Sequence, residues 1–362
     1  MRISSLELGD FRNHANLALT FEAGATTIIG RNGRGKTNIV EAINFLATLG
    51  SHRVSNDFPL LRHGTTQAKI LATVHKDDRA AQVEIEINDG KQNRVILNGG
   101  PLSRPRDILG LVHTVVFAPE DLALVKGDPG DRRKYLDEFA TQMAPRVAAV
   151  RSDFDKVLKQ RNALLKSAGR RALSDNAKQT LDVWNDQFVS HAVSLTAARL
   201  EALSSLRPFI ESHGDAISGN TEELRATYSS KWLTHIEEDL ETQLRDSLVH
   251  RQQDEIDRGL TLVGPHRDDI DIELAGLPAK NFASHGQSWS IALALRLASF
   301  DVLRSHHDDP ILILDDVFAE LDVRRRERLI ASLQGVEQTL VTAAVAEDVP
   351  TFLLDQTLVL AD

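Results

Sequence analysis

The sequence predicts an α/β nucleotide-binding fold split by a helical insertion, and three observations carry that expectation. A glycine-rich loop, Gly30-Arg31-Asn32-Gly33-Arg34-Gly35-Lys36-Thr37, stands between an apolar run and a helical pattern. An acid pair, Asp315-Asp316, closes a run of four branched apolar residues at 311–314. Between the two, strand-like alternation gives way to helical spacing over residues 122–258.

The first 120 residues read as α/β with several antiparallel strands. Alternation at 1–8, 68–75 and 81–87 suits strands with one covered face, and Asn98-Gly99-Gly100 marks a hairpin turn. Residues 25–29 form the strand that feeds the glycine loop, and a helix begins near Lys36. The loop matches GxxxxGK[ST] in the strand–turn–helix setting it needs. Its glycines let backbone N–H groups turn inward around a phosphate. Lys36 can reach the β- and γ-phosphates, Thr37 can ligate Mg²⁺, and the helix N-terminus favours the same anion. These residues predict a bound nucleoside triphosphate with Mg²⁺, which the resemblance given below makes ATP.

From 122 to 258, Leu181, Trp184, Phe188, Ala192, Leu195, Ala202 and Leu206 recur at helical steps and make one apolar stripe, read as helix–helix core. Strands return near 260, with alternation at 270–274, a long helix at 289–303, the apolar strand 311–314 and another strand at 339–343. One nucleotide domain is thus divided by a helical insertion.

A strand such as 311–314 is buried on both faces in a parallel sheet, and acids that follow it lie at its C-terminal edge, beside the phosphate loop of a neighbouring strand. There Asp315 can hold Mg²⁺ and Asp316 can orient an attacking water as general base. Alone, the pair would equally suit the start of a helix. The phosphate loop favours the metal and water roles. Ser284-His285-Gly286-Gln287 precedes the long helix and reads either as a plain cap or as a second anion site with Ser284 as hydroxyl donor.

Composition excludes several classes. With no cysteine, the chain has no disulfide, thiolate metal site or cysteine nucleophile. No apolar run reaches the roughly 18 residues of a membrane span, and the first residues lack a signal-peptide pattern. The expected compartment is the cytosol, with no membrane partner. Net charge is −10, yet residues 126–171 hold twelve Lys/Arg against six Asp/Glu, among them Lys126, Arg132, Arg133, Lys134, Arg151, Lys156, Lys159, Arg161, Arg170 and Arg171. Residues 237–258 hold eight acids against three arginines. A basic helical stretch is either a solvated face or a track for a phosphate backbone. The cluster Arg324, Arg325, Arg326 and Arg328 reads as a helix surface.

Taken together, the motifs resemble the RecF family of bacterial recombination and gap-repair ATPases, SMC-like proteins with short arms. The residues that carry the resemblance are FRNH at 11–14, GRNGRGKTN with EAI at 30–43, FAPEDLALVKGDPGDRRKYLD at 117–137, LKQRNALL at 158–165, GPHRDD at 264–269, SHGQ at 284–287 and LDDVFAELD at 314–322. It covers essentially the whole chain. It implies an ABC/SMC-type P-loop ATPase head with mixed sheets, built from 1–121 and 259–362, and a helical arm domain at 122–258. It further implies that Gly30 to Asn38 cradle the nucleotide, that Asp315 is the Walker B metal ligand, and that Asp316 stands where many relatives carry a catalytic glutamate. Ser284, Gly286 and Gln287 would cap the γ-phosphate in trans, Asp322 would lie at a dimer seam, and Arg12 and Asn13 would lie near the base. The implied activity is a slow, DNA-dependent ATPase switch in gap repair, replication and SOS induction, with RecA loading as its output. The implied partners are a second copy, DNA (duplex near gaps, or single-stranded), RecR and RecO, with a place at the nucleoid. The chain departs from the family pattern at His285 and Trp289, and no histidine follows residues 339–343, where transporter-type ATPases carry one.

Overall fold

The computed structural model describes the chain apart from residues 55, 78, 169–174, 219–222, 236–238, 307–308 and 361–362. Strand β1 (Arg2–Phe11) turns back into β2 (His14–Thr20), and β3 (Gly24–Ile29) leads through the glycine loop into α1 (Lys36–Thr48). Then come β4 (Gln67–Lys76), β5 (Arg79–Asn88), β6 (Arg94–Leu97), β7 (Gly100–Pro101) and β8 (Thr114–Phe117). Helices α2 (Leu122–Lys126), α3 (Pro129–Met143), α4 (Arg146–Ala168) and α5 (Asp175–Ser218) follow, then β9 (Leu224–Ser229) and α6 (Leu240–Arg258). The remaining elements are β10 (Asp269–Leu274), β11 (Leu277–Pro278), α7 (Ala279–Phe282), α8 (His285–His306), β12 (Ile311–Asp315), α9 (Val323–Ser332), β13 (Gln338–Ala343) and β14 (Gln356–Val359).

These strands make three sheets, ordered β2-β1-β4-β5-β6-β7, β14-β3-β13-β12-β8 and β11-β10-β9. The fold is mixed α/β as predicted, but each sheet is uniform: the five-stranded sheet is parallel and the other two are antiparallel. The parallel sheet explains the branched run on β12. Ile311 and Ile313 face a core shared with α1 and the six-stranded sheet, whereas Leu312 and Leu314 face a second core shared with α3, α5 and α8. Both faces are therefore dry, and alternation along β12 sorts residues between two cores rather than between core and water. The hairpin at Asn98-Gly99 forms as expected, with φ of +50° and +79°.

In α5, Leu181, Phe188, Ala192, Leu195, Ala202 and Leu206 are buried, so the predicted stripe is a packing seam. Phe188 meets Phe154 of α4 with ring centroids 5.4 Å apart. Each such buried ring or leucine contributes about 1.5–3 kcal/mol. The helical reading of 122–258 needs one correction, because β9 lies inside it and pairs along its whole length with β10. LRATYS is short, half polar and set between long helices, so its alternation is masked by the surrounding helical pattern. One continuous core joins β8 and β12 to α3, α4, α5 and α8 across residue 122.

Candidate phosphate-binding site

The two sequence motifs meet at the C-terminal edge of the parallel sheet. They are not on adjacent strands, as the sequence suggested, because β13 lies between β3 and β12. Thr342 of β13 bridges the gap. Its hydroxyl donates to Asp315 Oδ1 at 2.5 Å and accepts from the Asp316 amide at 3.0 Å. The Thr37 hydroxyl donates to the same Asp315 oxygen at 3.0 Å. Nothing in the sequence singled out Thr342, although its place at the end of an apolar strand was visible.

Burial dominates the chemistry of Asp315 and pushes its carboxyl up from 3.8 to about 6. The neighbouring Asp316 charge adds to the rise, while the hydroxyls of Thr342 and Thr37 oppose it. A buried carboxylate short of positive charge, with a hydroxyl beside it, suits a hard divalent cation. Among the described residues no cluster of three or more His, Cys, Asp or Glu could hold a metal. A cation at Thr37 and Asp315 would therefore draw its other ligands from phosphate oxygens and water, as Mg²⁺ commonly does.

The loop itself is built for an anion. Gly33 and Gly35 have φ of +85° and +96°, a conformation that costs side-chain-bearing residues strain. A Cβ on Gly35 would also stand 2.4 Å from His14 Nε2 and 2.5 Å from Asn13 Oδ1. Lys36 is buried, and its ammonium donates to Gly30 O at 2.8 Å and Asn32 Oδ1 at 3.4 Å, with Asp316 Oδ2 4.0 Å away. The lysine thus holds the loop's own oxygens where a phosphate would compete for it. Arg31, Asn32, Gly33 and Arg34 are exposed. Asp316 has a φ of +51°, an uncommon value for a residue other than glycine, which turns the chain sharply after β12.

The FRNH turn divides its labour. Asn13 accepts from Asn38 Nδ2 at 2.7 Å, and His14 Nε2 lies 3.1 Å from Gly35 O, so both touch the phosphate loop. Arg12 instead grips Glu41 of α1 at 2.8 and 2.6 Å and donates to Pro59 O at 2.9 Å. Burial tends to raise the Glu41 carboxyl, but hydrogen bonds from Arg12 and Ser51 and the Arg12 and Arg53 charges outweigh it, leaving Glu41 below its ordinary value. Arg12 therefore fastens the β1–β2 turn to α1, and its guanidinium is occupied. Arg53, which the sequence did not single out, donates to Asn38 Oδ1 at 3.0 Å and lies 3.6 Å from Glu120 of the PEDL segment.

The Ser284 turn is a reciprocal cap. The Ser284 amide donates to Gln287 Oε1 at 2.9 Å, and the Gln287 amide donates to Ser284 Oγ at 3.2 Å. Ser284 and His285 are exposed, while Trp289 is buried. The atypical tryptophan is thus a core residue, and the atypical histidine faces outward. Asp322 caps α9 by accepting from the Arg325 amide at 2.9 Å, and it pairs with the Arg325 guanidinium.

Much of the predicted basic track is spent inside the molecule. Arg132 chelates Asp269 at 2.7 and 2.8 Å, Arg133 donates to Asp268 O at 2.7 Å, and Arg161 is buried against Glu255 at 2.6 Å. Lys126 and Lys134 donate to backbone carbonyls. Arg170 and Arg171 lie outside the described residues. Arg151, Lys156 and Lys159 line a cleft of about 470 Å³ beside α3 and α4, with Glu138 and Asp155 among its walls, and Arg151 lies 3.5 Å from Asp137 and Lys156 2.9 Å from Asp153. Sequence counting could not separate these groups, because the acids that pair with Arg132 and Arg161 and the carbonyl that holds Arg133 come from more than 90 residues away.

Comparison with known proteins gives a consistent result. The model of the family described as "RecF/RecN/SMC N terminal domain" matches residues 2–352. The DNA replication and repair protein RecF of Frankia alni is 51% identical over 362 residues, covering 98% of this chain and 96% of that protein. The RecF of Streptomyces avermitilis is 49% identical over 358 residues, with the same coverage. A solved structure of the recombination mediator protein RecF-ATP in the RecFOR pathway superposes with a TM-score of 0.87 at 27% identity, covering 96% of this chain and 93% of that one. An Smc head bound to the C-winged helix domain of ScpA shares the fold at a TM-score of 0.52 and 16% identity, over 95% and 90% of the two chains.

Proposed function

The chain belongs to the RecF family, within the RecF/RecN/SMC group, and from that premise we propose that it is an ATP-driven DNA-binding switch of gap repair, replication restart and SOS induction. ATP would occupy the loop from Gly30 to Asn38, with Lys36 on the β- and γ-phosphates. Thr37 and Asp315 would hold Mg²⁺, whose charge offsets that developing on the transferred phosphoryl group. Asp316, turned back beside Lys36, would orient the attacking water.

The observation that carries this reading is the Thr37–Asp315–Thr342 bridge, which draws the phosphate loop and the acid strand into one site. That site has half of what a triphosphate needs. The Ser284 turn bonds within its own helix, Ser284 with Gln287 and Ser288 and Gly286 with Ser290. A second copy, placed head to tail, would bring Ser284, Gly286 and Gln287 onto the γ-phosphate and Asp322 to the seam. The closed pair would hold DNA, with Arg151, Lys156 and Lys159 as backbone contacts. Turnover would be slow and release the DNA; RecR, RecO and the arm and head division at 122 and 258 belong to the same proposal. Turnover by Asp315→Asn tests the site: a fall of roughly 100-fold or more supports it, and wild-type turnover removes it.

A second function class, a motor for a membrane partner, finds no support. The long insertion between β8 and β10 and the PEDL segment at 119–122 count against it.

A further inference from the structure

Two cations that the sequence assigned elsewhere converge on the Ser284 turn. Lys126, counted with the basic track, donates its ammonium to Ala283 O at 2.6 Å, Lys280 O at 3.0 Å and Ala279 O at 3.2 Å. These three carbonyls run from the first residue of α7 to its C-cap, and that C-cap, Ala283, is the residue directly before Ser284. Arg325, counted with a solvated helix face, donates Nε to Ser290 Oγ at 2.7 Å and pairs with Asp322. A Cβ on Gly286 would stand 3.0 Å from one nitrogen of the same guanidinium. One cation therefore grips the chain entering the turn and the other lies against the helix leaving it.

The KGDPG segment presents Lys126 to these carbonyls. A Cβ on Gly127 would stand 2.5 Å from Ala123 O and 2.4 Å from Asp131 Oδ2, so the chain can bend there only as glycine. The Asp128 amide donates to Asp131 Oδ2 at 2.9 Å, and Pro129 opens α3, which fixes the far side of the bend. Lys280 answers from the other side by donating to Gly127 O at 2.8 Å. The two segments are cross-tied. Meanwhile α9 couples through Arg325 the turn at Asp322 to the start of α8, the two pieces assigned to the trans face.

We propose that Lys126 and Arg325 are positioning residues for the trans γ-phosphate cap, holding Ser284 and Gly286 in the geometry that a second subunit's nucleotide requires. Preset donors cost nothing to organise when the anion arrives. The proposal rests on the head-to-tail reading above, and it removes Lys126 from the DNA face.

The test compares wild type with Lys126→Met, which keeps the stem and loses the cation, with Lys126→Arg, and with Arg325→Ala. Four quantities are read: ATP affinity at protein concentrations too low for pairing, ATP-dependent dimer dissociation constant, kcat, and affinity of the nucleotide-free chain for duplex. For Lys126→Met and Arg325→Ala, monomer ATP affinity stays within about twofold, while the dimer constant rises and kcat falls by roughly tenfold or more, the scale of a lost charge-assisted bond. Lys126→Arg restores both. Dimerisation and turnover like wild type in Lys126→Met overturn the role, as does a loss confined to duplex affinity, which would make Lys126 a DNA contact. A wild type that pairs with ATP in that case leaves the head-to-tail reading standing. A wild type that never pairs with ATP removes that reading and this role with it.

Discussion

Lys36 is the residue on which the nucleotide reading turns, because its buried ammonium is satisfied by Gly30 O and Asn32 Oδ1 until a phosphate replaces them. Lys36→Ala should weaken ATP binding by at least roughly tenfold, measured by equilibrium titration, since a buried charge-assisted contact is lost. Unchanged affinity would place the nucleotide elsewhere. Asp316→Asn should keep ATP binding and leave a persistent dimer, read by turnover and light scattering together, and normal turnover would take the base role from Asp316. At this scale the loop and both acids were legible, because glycine turns and apolar strands leave strict local patterns. Thr342, Glu41 and the occupied state of Arg12 were not. Their roles depend on partners distant in the chain, such as Arg12 with Glu41 at 29 positions and Thr342 with Asp315 at 27.

At the scale of elements, the arm is fastened by a buried polar knot. Arg161 of α4 bonds Glu255 of α6 at 2.6 Å, Asn185 of α5 at 2.9 Å and Thr261 at 2.7 Å, with both charged side chains almost fully buried. Removing one partner strands the other charge, so Arg161→Ala should cost about 3–5 kcal/mol in denaturant unfolding, whereas Arg161→Met with Glu255→Leu should cost much less. The GPHRDD segment supplies a pH dependence. Burial pushes His266 down from 6.5 to about 4, and it does the same to His52 against the nearby Glu41 charge. The unfolded chain binds these protons first, so the contribution of these two histidines to stability is full above about pH 6.5 and is lost as pH falls toward 4. His266→Phe, which fits beside Phe154 and Phe188, should flatten the acid side of a plot of thermal midpoint against pH. An unaltered slope would exclude His266 as its source. The long helices were legible from the apolar stripe. Strand β9 was not, since its partner β10 starts 45 residues later and only pairing makes LRATYS a strand.

For the whole molecule, net charge was a poor guide and local charge only a partial one. Twelve cations over residues 126–171 suggested one long DNA track, but folding commits Arg132, Arg133 and Arg161 to internal acids and carbonyls. If Arg151, Lys156 and Lys159 contact phosphates, neutralising all three should reduce the slope of log affinity against log salt by about 3 and leave ATP-driven pairing intact. An unchanged slope would send the DNA path elsewhere. The proposed switch depends on a second copy, whose Ser284 turn would complete the phosphate site of this one. Solution mass with ATP, with ADP and without nucleotide, repeated with gapped duplex, tests this most directly. Mass should double with ATP alone, stay single with ADP or no nucleotide and in Lys36→Ala, and carry the duplex only in the doubled state. A single mass under all three conditions, or a dimer indifferent to nucleotide, would contradict an ATP-gated clamp.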